Sequence, residues 1–289
     1  MTPDVSVIIV SWNVCDALQK NLQQLFSLST RVSFEVIVVD NGSKDSTAVL
    51  LRQSFPRVEF IQNDTNRGFA YACNQGLKRA SGRVLVLFNP DMRMGRGVLE
   101  YTLATLQNRP EIGVMGVKLL RPDGTRVDSV RRDPHLRDQL AIMLKLPHFF
   151  PQVLDRYLAK DFDYEHDVDV EQVRGSFFAF RRDVYERVGE LDAKNFFVWF
   201  EEVDFCRRVR AAGWKIWYSA QVSCTDLVGQ SFKQQSNRLK QARFTRSMAR
   251  YFLKWHGPAQ ASLIYVLRPL SLFMAVVADV FGLRPSTWK

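Results

Sequence analysis

The chain has 289 residues, 46% of them hydrophobic and 24% charged. That is ordinary globular composition, which excludes a disordered or fibrous chain and leaves room for one large domain with trimmings or two small ones. A formal net charge of +10 suits nucleic acid, an anionic membrane surface or phosphorylated ligands without choosing among them.

The N-terminus, MTPDVSVIIVSWN, has no basic segment and too short an apolar run for a secretory signal, so it reads as a first strand. Cys15, Cys73, Cys206 and Cys224 are scattered without metal-type pairing, which fits a reducing compartment. VSVIIV is a continuous apolar run, a strand buried on both faces. Leu18, Leu22 and Leu25 follow at helical spacing. FEVIVVD is a second strand ending in Asp40, and DNGSKDST turns into a helix, TAVLLRQSF. VEFIQ is a third strand, a helix begins near Phe69, and RVLVLFN is a fourth strand. This alternation predicts a mostly parallel α/β sheet with helices on both faces. After Pro110 the order loosens. GVMGVKLL reads as a strand, RPDGTRV as a hairpin turn, VRGSFFAFRR as a late strand, FFVWFEEVDFCRRVRAAGW as a run into a helix, and KIWYSA as the strand after it.

In open α/β sheets, ligands sit at the carboxyl ends of the strands. Here those ends are polar every time: Ser11 and Asn13, then Asp40, Asn41 and Ser43, then Asn66, Arg67 and Gly68, then Asn89 and Asp91. Asp40 is suited to accept from a nucleobase N–H, or to cap a helix. Asn66-Arg67-Gly68 opens a helix whose free N–H groups and dipole attract phosphate; the plainer alternatives are a cap at Asn66 and a surface cation at Arg67. Asp91, just after Asn-Pro, is suited to hold a hard divalent cation, which needs only one or two carboxylates besides phosphate oxygens, or to close a local turn.

Seven segments in order, SVIIVSWN, VIVVDNGSKDST, NRGFAYACNQG, LFNPD, RGSFFAFRR, WFEEVDFCRR and WKIWYSA, resemble a family-2 glycosyltransferase of the rhamnosyltransferase-like branch. The resemblance runs from about Val5 to Pro258. It implies a GT-A fold: a Rossmann-like catalytic domain over about 1–230, with nucleotide-sugar binding in about 1–120 and acceptor binding in about 121–230. It further implies inverting transfer of a sugar, L-rhamnose or a related deoxyhexose, from a dTDP- or UDP-sugar. The acceptor implied is a saccharide hydroxyl, often polyprenyl-diphosphate-linked, in cell-surface polysaccharide synthesis. The cofactor implied is Mg2+ or Mn2+, held by Asp91 with Asn89 helping. The strand-two Asp40 is the pyrimidine contact, and Ser11, Asn13, Asn41, Ser43, Asn66, Arg67, Gly68 and Phe69 complete the nucleotide-sugar set.

The family's catalytic base lands on Glu202, with Glu in place of the usual Asp, and Asp204 is the fallback. Acids in a helix's first turn paired with Arg207 and Arg208 are the bland alternative. Gly175, Ser176, Trp199 and Glu201 fall on the acceptor side. The family's His-x-x-Gly-x-Ser pattern meets DLVGQS, which puts Asp226 in the metal position and Gln230 and Ser231, with Gly229, around the diphosphate. The departures at Glu202 and Asp226 also motivate a catalytically silent scaffold as a second reading. Net charge motivates a nucleic-acid binder as a third, against which no nucleic-acid motif is found.

Two regions remain. Arg131 to Leu158 interleaves bases with Leu140, Ile142, Met143, Leu144, Leu146, Phe149 and Phe150, an acceptor lid, a membrane contact or a cover for the core. From Leu227 to Ala278 there is no acid. Phe244, Met248, Tyr251, Phe252 and Trp255 oppose Arg243, Arg246, Arg250 and Lys254, a basic amphipathic helix for anionic lipid or for docking on the domain. SLIYVLRPLSLFMAVVADVFGL is interrupted by Arg268, Pro269 and Asp279 and reads as too short to span a bilayer, which takes about 20 apolar residues. Residues 231–289 are therefore expected as membrane-associating helices, peripheral on the inner face of the cell membrane, of an otherwise cytoplasmic protein.

Overall fold

The computed structural model of the protein describes residues 2–227 and 234–280. Its centre is a ten-stranded mixed sheet begun by β1 (Val5–Ser11), β2 (Phe34–Asp40), β3 (Glu59–Gln62) and β4 (Val84–Phe88). These lie in the order β3-β2-β1-β4, all parallel, as strands joined through helices do. The chain then adds β5 (Met92–Met94), β6 (Ile112–Leu120), β7 (Arg126–Val127), β8 (Val130–Arg131), β9 (Val168–Val170), β10 (Gln172–Val173), β11 (Phe177–Arg181) and β12 (Lys215–Asp226). β11 runs antiparallel between β4 and β6, β12 runs parallel to β6, and β5 lies antiparallel to β12. β7 forms the expected hairpin with β6, and β8 and β10 make a separate antiparallel ribbon.

Successive residues of β1 point to opposite faces, and both faces are covered. Val5, Val7 and Ile9 pack in one cluster with Leu18, Leu22 and Leu25 of α1 (Cys15–Phe26), Leu51 of α2 (Thr47–Ser54) and Leu106 of α4 (Val98–Asn108). Ile8 packs in the other with Cys73 and Leu77 of α3 (Phe69–Arg79), Val184 of α6 (Arg182–Val188) and Val209 of α7 (Glu201–Ala211). Full burial of each of the three leucines of α1 contributes about 1.5–3 kcal/mol, so α1 stands without a side-chain cap. The sequence reading omits α4, although Val98, Leu99, Thr102 and Leu106 fall at helical spacing and are buried.

The inserted stretch folds as α5 (Leu136–Met143) and two single 3-10 turns at Leu146–His148 and Pro151–Leu154. Ile142 and Met143 join the core, whereas Phe149 and Phe150 are 76% and 65% exposed.

The C-terminal helices correct two expectations. The apolar side of α8 (Asn237–His256) is not open to lipid: Met248, Tyr251 and Phe252 are buried with Phe196, Phe200 and Val203. Two of its basic residues also bond inward, Arg250 to the Lys194 carbonyl at 2.7 Å and Lys254 to Asp192 at 2.9 Å. α9 (Pro258–Val280) is one continuous helix of 23 residues that runs through Pro269, so about 34 Å long and not too short to cross a bilayer. It is long and apolar enough by length and composition. Pro269 is tolerated because it sits on the exposed side. Arg268 turns toward α8, giving hydrogen bonds to Thr245 Oγ1 (3.2 Å) and the Ala242 carbonyl (3.3 Å). Asp279, the acid that ends the acid-free run, accepts from the backbone N–H groups of Asn237 (3.1 Å) and Arg238 (3.0 Å). One end of α9 thus caps the N-terminus of α8, where a carboxylate is favoured.

Candidate active site

β1 and β2 are in register, so Ser11 and Asp40 are direct neighbours at their carboxyl ends. Both are buried, and the Ser11 hydroxyl and Asp40 Oδ2 have no hydrogen-bond partner among the described residues. Asp40 Oδ1 accepts from the Ser43 N–H at 3.2 Å, and burial raises the carboxyl's pKa. A buried acceptor left unfilled at a strand end is costly unless something fills it. These two groups therefore face a missing donor.

The other residues expected on the nucleotide side build the loops instead. Asn13, at φ 52°, accepts from the Lys44 N–H at 2.7 Å and gives its own N–H to Ser43 Oγ at 2.8 Å, lacing the first two strand ends together. Asn41 Oδ1 accepts from Asn63 (3.1 Å) and the Arg67 N–H (3.0 Å), while its Nδ2 donates to Asn66 and the Gly68 carbonyl, both at 3.1 Å. The phosphate site expected at the start of α3 is corrected. The Gly68 N–H goes to Asn66 Oδ1 at 3.0 Å and the Phe69 N–H to the Phe197 carbonyl at 2.6 Å, so these two donors are already engaged. Gly68 has φ 95°, and a Cβ there would meet the Phe197 carbonyl oxygen at 2.5 Å. The residue must be glycine for the loop to come this close. Arg67 lies over the Tyr71 ring, 3.9 Å from its centroid.

At the other side of β1, Asn89 and Asp91 follow β4. Buried Asn21 of α1 props this turn, donating to the carbonyls of Asn89 (3.2 Å) and Met92 (2.9 Å). Asp226 ends β12 opposite Met92, and the Leu227 N–H bonds the Asp91 carbonyl at 3.1 Å, so buried Asp226 lies next to buried Asp91 in the turn before β5. Ser176, expected on the acceptor side, sits between them: its hydroxyl donates to Asp226 Oδ2 at 3.3 Å and its carbonyl accepts the Asn89 N–H at 3.0 Å. Gly229, Gln230 and Ser231 lie outside the described residues.

Gly175 touches the next acid. Its ideal Cβ would lie 3.8 Å from Cβ, Cγ and Cδ of Glu202. The run Arg174-Gly175-Ser176 thus carries Glu202 on one side and Asp226 on the other. Trp199 and Phe200, both left-handed at φ 64° and 67°, bend the chain into α7 so that Glu201 and Glu202 open it. Two non-glycine residues in that region are strain of a kind that clusters at functional sites. Here it is held by Phe200 packing on Tyr251 and by Ser247 Oγ on the Val198 carbonyl at 2.9 Å. Burial drives the pKa of Glu201 well up, and the charge of Glu202 adds to it; burial also raises Glu202, opposed by its own helix-end N–H groups and by Arg174.

Asp204 is occupied otherwise. Fully buried, it accepts from Arg208 at 2.9 Å, Lys254 at 2.7 Å and Trp255 Nε1 at 2.8 Å, which makes it an anchor for α8. Arg174 is the residue the sequence reading missed. Its Nη1 is shut off from solvent with no acceptor among the described residues, and nothing but its place before Gly-Ser marked it. Asn21 was missed for the same reason, as a lone polar residue on an apolar helix face.

Solved structures share this arrangement of strands and helices. A mannosyltransferase from Pyrobaculum calidifontis, in complex with GDP-Man and Mn2+, superposes with a TM-score of 0.59 at 18% identity, covering 96% of this chain and 74% of that one. GalNAc-T7 with UDP, GalNAc and Mn2+ superposes with a TM-score of 0.59 at 14% identity, over 78% of this chain and 43% of that one. The fold is GT-A. Among curated proteins, the N-acetylglucosaminyl-diphospho-decaprenol L-rhamnosyltransferase of Mycobacterium tuberculosis is 27% identical over 226 residues, 74% of this chain and 73% of that enzyme. The O-antigen biosynthesis protein RfbC of Myxococcus xanthus is 28% identical over 261 residues, 89% of this chain but 20% of that protein. The sequence profile of glycosyl transferase family 2 matches residues 6–189, the span that holds the ends of β1 to β4, and the chain belongs to that family.

Proposed function

We propose that this glycosyltransferase moves a deoxyhexose, best L-rhamnose, from a dTDP- or UDP-sugar to a hydroxyl of a polyprenyl-diphosphate-linked saccharide, with inversion, in cell-surface polysaccharide synthesis. The observation that carries the reading is the run Arg174-Gly175-Ser176, whose Gly175 lies against Glu202 and whose Ser176 hydroxyl donates to Asp226. The decaprenol-linked L-rhamnosyltransferase supports the sugar and the acceptor class, and the O-antigen biosynthesis protein RfbC supports the cell-surface product.

Each group has a task. Asp40 Oδ2 and the Ser11 hydroxyl take the pyrimidine N–H and a ribose or base oxygen. Glu202 takes the proton of the acceptor hydroxyl as its oxygen bonds the anomeric carbon; the bond from that carbon to the diphosphate breaks, and the nucleoside diphosphate leaves with the electron pair. Glu201 holds a proton beside it. The donor set fits a divalent metal: Asp91 and Asp226 are hard oxygen ligands next to each other, with Asn89 near. Among the described residues no group of three or more His, Cys, Asp or Glu is placed to hold a metal ion, so a Mg2+ or Mn2+ here would rest on two carboxylates and phosphate oxygens. Bound there, the ion supplies positive charge against the leaving diphosphate. The protein acts from the cytoplasmic face of the membrane that carries its acceptor.

Thermal unfolding with dTDP, UDP and their sugars, with and without Mg2+ or Mn2+, tests this. A ligand at about 100 times its Kd adds about 2.7 kcal/mol, so the melting temperature is expected to rise by several degrees with a pyrimidine diphosphate plus metal. Asp91→Ala is expected to lose the metal-dependent part and keep the rest. No stabilisation by any pyrimidine diphosphate would sink the proposal.

A further inference from the structure

Arg131 and Arg174 lie on the β8–β10 ribbon, apart from the strands that carry Asp40 and Asp91. Gln172 of β10 pairs with Arg131, and the Arg174 N–H bonds the Ser129 carbonyl at 2.9 Å. Burial depresses the pKa of Arg174 and the charge of Arg131 adds to it, while Asp226 and, less, Glu202 oppose them. Neither is neutralised by a direct ion pair among the described residues. Asp128, the acid beside Arg131 in sequence, is taken by Lys160 at 2.7 Å and Arg126 at 3.5 Å, and Arg131 spends Nη1 on the carbonyls of Asp128 (3.0 Å) and Val130 (2.7 Å). Arg174 Nη1, closed to solvent, has no acceptor among the described residues. Two adjacent cations, one with a buried idle donor, describe a place for an oxyanion.

Its position says which oxyanion. Arg132, next to Arg131, gives its N–H to the Tyr157 carbonyl of the inserted stretch at 3.0 Å, so the ribbon lies against the insert, and the charge of Glu202 acts on both Tyr157 and Arg174. That same insert exposes Phe149 and Phe150, and its Met143 carbonyl accepts from Ser271 in the middle of α9 at 2.9 Å. The insert thus carries exposed apolar side chains next to the ribbon that holds the arginine pair, as the lipid of such an acceptor adjoins its anionic link. We propose that Arg131 and Arg174 bind the diphosphate of the lipid-linked acceptor. The inference rests on the transferase reading and deepens it by giving the acceptor's anionic link its own subsite, separate from the donor's diphosphate.

Calorimetric titration of the full chain with a short-chain prenyl diphosphate, and separately with dTDP and UDP plus Mg2+, tests this. Arg174→Met and Arg131→Met are each expected to weaken the prenyl diphosphate by roughly 10- to 100-fold, the range for hydrogen bonds to charged groups. The lysine replacements are expected to lose less, keeping charge without the planar fork. Nucleoside diphosphate binding is expected to stay within a few-fold, which also shows that the variants are folded. The proposal is overturned if wild type does not bind prenyl diphosphate, if the methionine variants bind it as wild type does, or if nucleoside diphosphate binding falls in parallel. Failure of the transferase reading shows differently, as wild type that binds the prenyl diphosphate but neither nucleotide.

Discussion

Glu201 and Glu202 are the same residue type in adjacent positions, and only their surroundings separate them. Both have a carboxylate oxygen buried without a partner among the described residues, but Arg174 favours the ionised form of Glu202 while the charge of Glu202 disfavours that of Glu201. As pH falls, Glu202 must stay ionised to serve as base, so the acid limb of kcat/KM is expected above the ordinary glutamate range, because burial raises it. Glu202→Gln is expected to cut kcat by about 10²–10⁴-fold with no loss of melting temperature, since it removes a buried charge. For Glu201 the sign runs the other way from a salt-bridged acid. Its folded pKa lies above the unfolded value, so the native state binds the extra proton, and its contribution to stability is complete below the unfolded pKa and drains away as pH rises through the folded one. Glu201→Gln is therefore expected to melt higher than wild type at pH 8 and to lose that advantage at pH 4. Calorimetry at the two pH values checks this, and an advantage that grows on acidification would refute the assignment of the proton.

The elements differ in how far the sequence announced them. β1, β2 and β4 were legible because burial on both faces writes an unbroken apolar run, and their polar ends marked the carboxyl edge. What stayed hidden was made by partners distant in the chain. The Phe197 carbonyl fills the N–H of Phe69, so the first donor of a helix start that looks open to phosphate is spent inside the protein. Lys254 and Trp255 of α8 converge on Asp204 of α7, so an acid that looks like a spare base is a seam between helices. Local pattern cannot show either, because each contact spans 50 residues or more. The seam carries its own prediction. Removing one member of a buried ion pair leaves the others uncompensated and costs about 3–5 kcal/mol, so Asp204→Ala is expected to lower stability by about that much in urea unfolding. Its activity is expected to fall along with the folded fraction, whereas Glu202→Gln separates the two. Asp204→Ala that is fully stable and inactive would reverse the roles given to these acids.

At the scale of the molecule, the question is where the apolar surface goes. α9 is docked on α8 by Ala261, Ile264, Ser271 and Ala275, and α8 is tied to the catalytic portion through Lys254 and Asp192. Those four residues are the buried ones of α9, and only 22% of its most apolar stretch is covered by the protein. Its outer side still presents Val266 at 73% and Phe273 at 65% exposure, and the insert adds Phe149 and Phe150. Apolar side chains of this size in water call for a cover. A chain of net charge +10, with Arg137, Arg238 and Arg246 exposed, favours an anionic lipid surface, to which each basic residue near the headgroups adds about 1 kcal/mol. Co-sedimentation with vesicles of phosphatidylglycerol and phosphatidylcholine is the measurement. Binding is expected to rise with the anionic fraction and to weaken, without vanishing, in high salt, because screening removes the charge attraction and leaves the apolar insertion. Replacing Val266 and Phe273 by serine, at about 1.5–3 kcal/mol per buried side chain, is expected to cost roughly a hundredfold or more in partitioning. The same change is expected to leave the melting temperature in place, since both residues face outward. Binding that disappears entirely at 0.5 M salt, or that ignores the serine replacements, would mean that charge alone holds the protein to lipid and that the outer side of α9 has another partner.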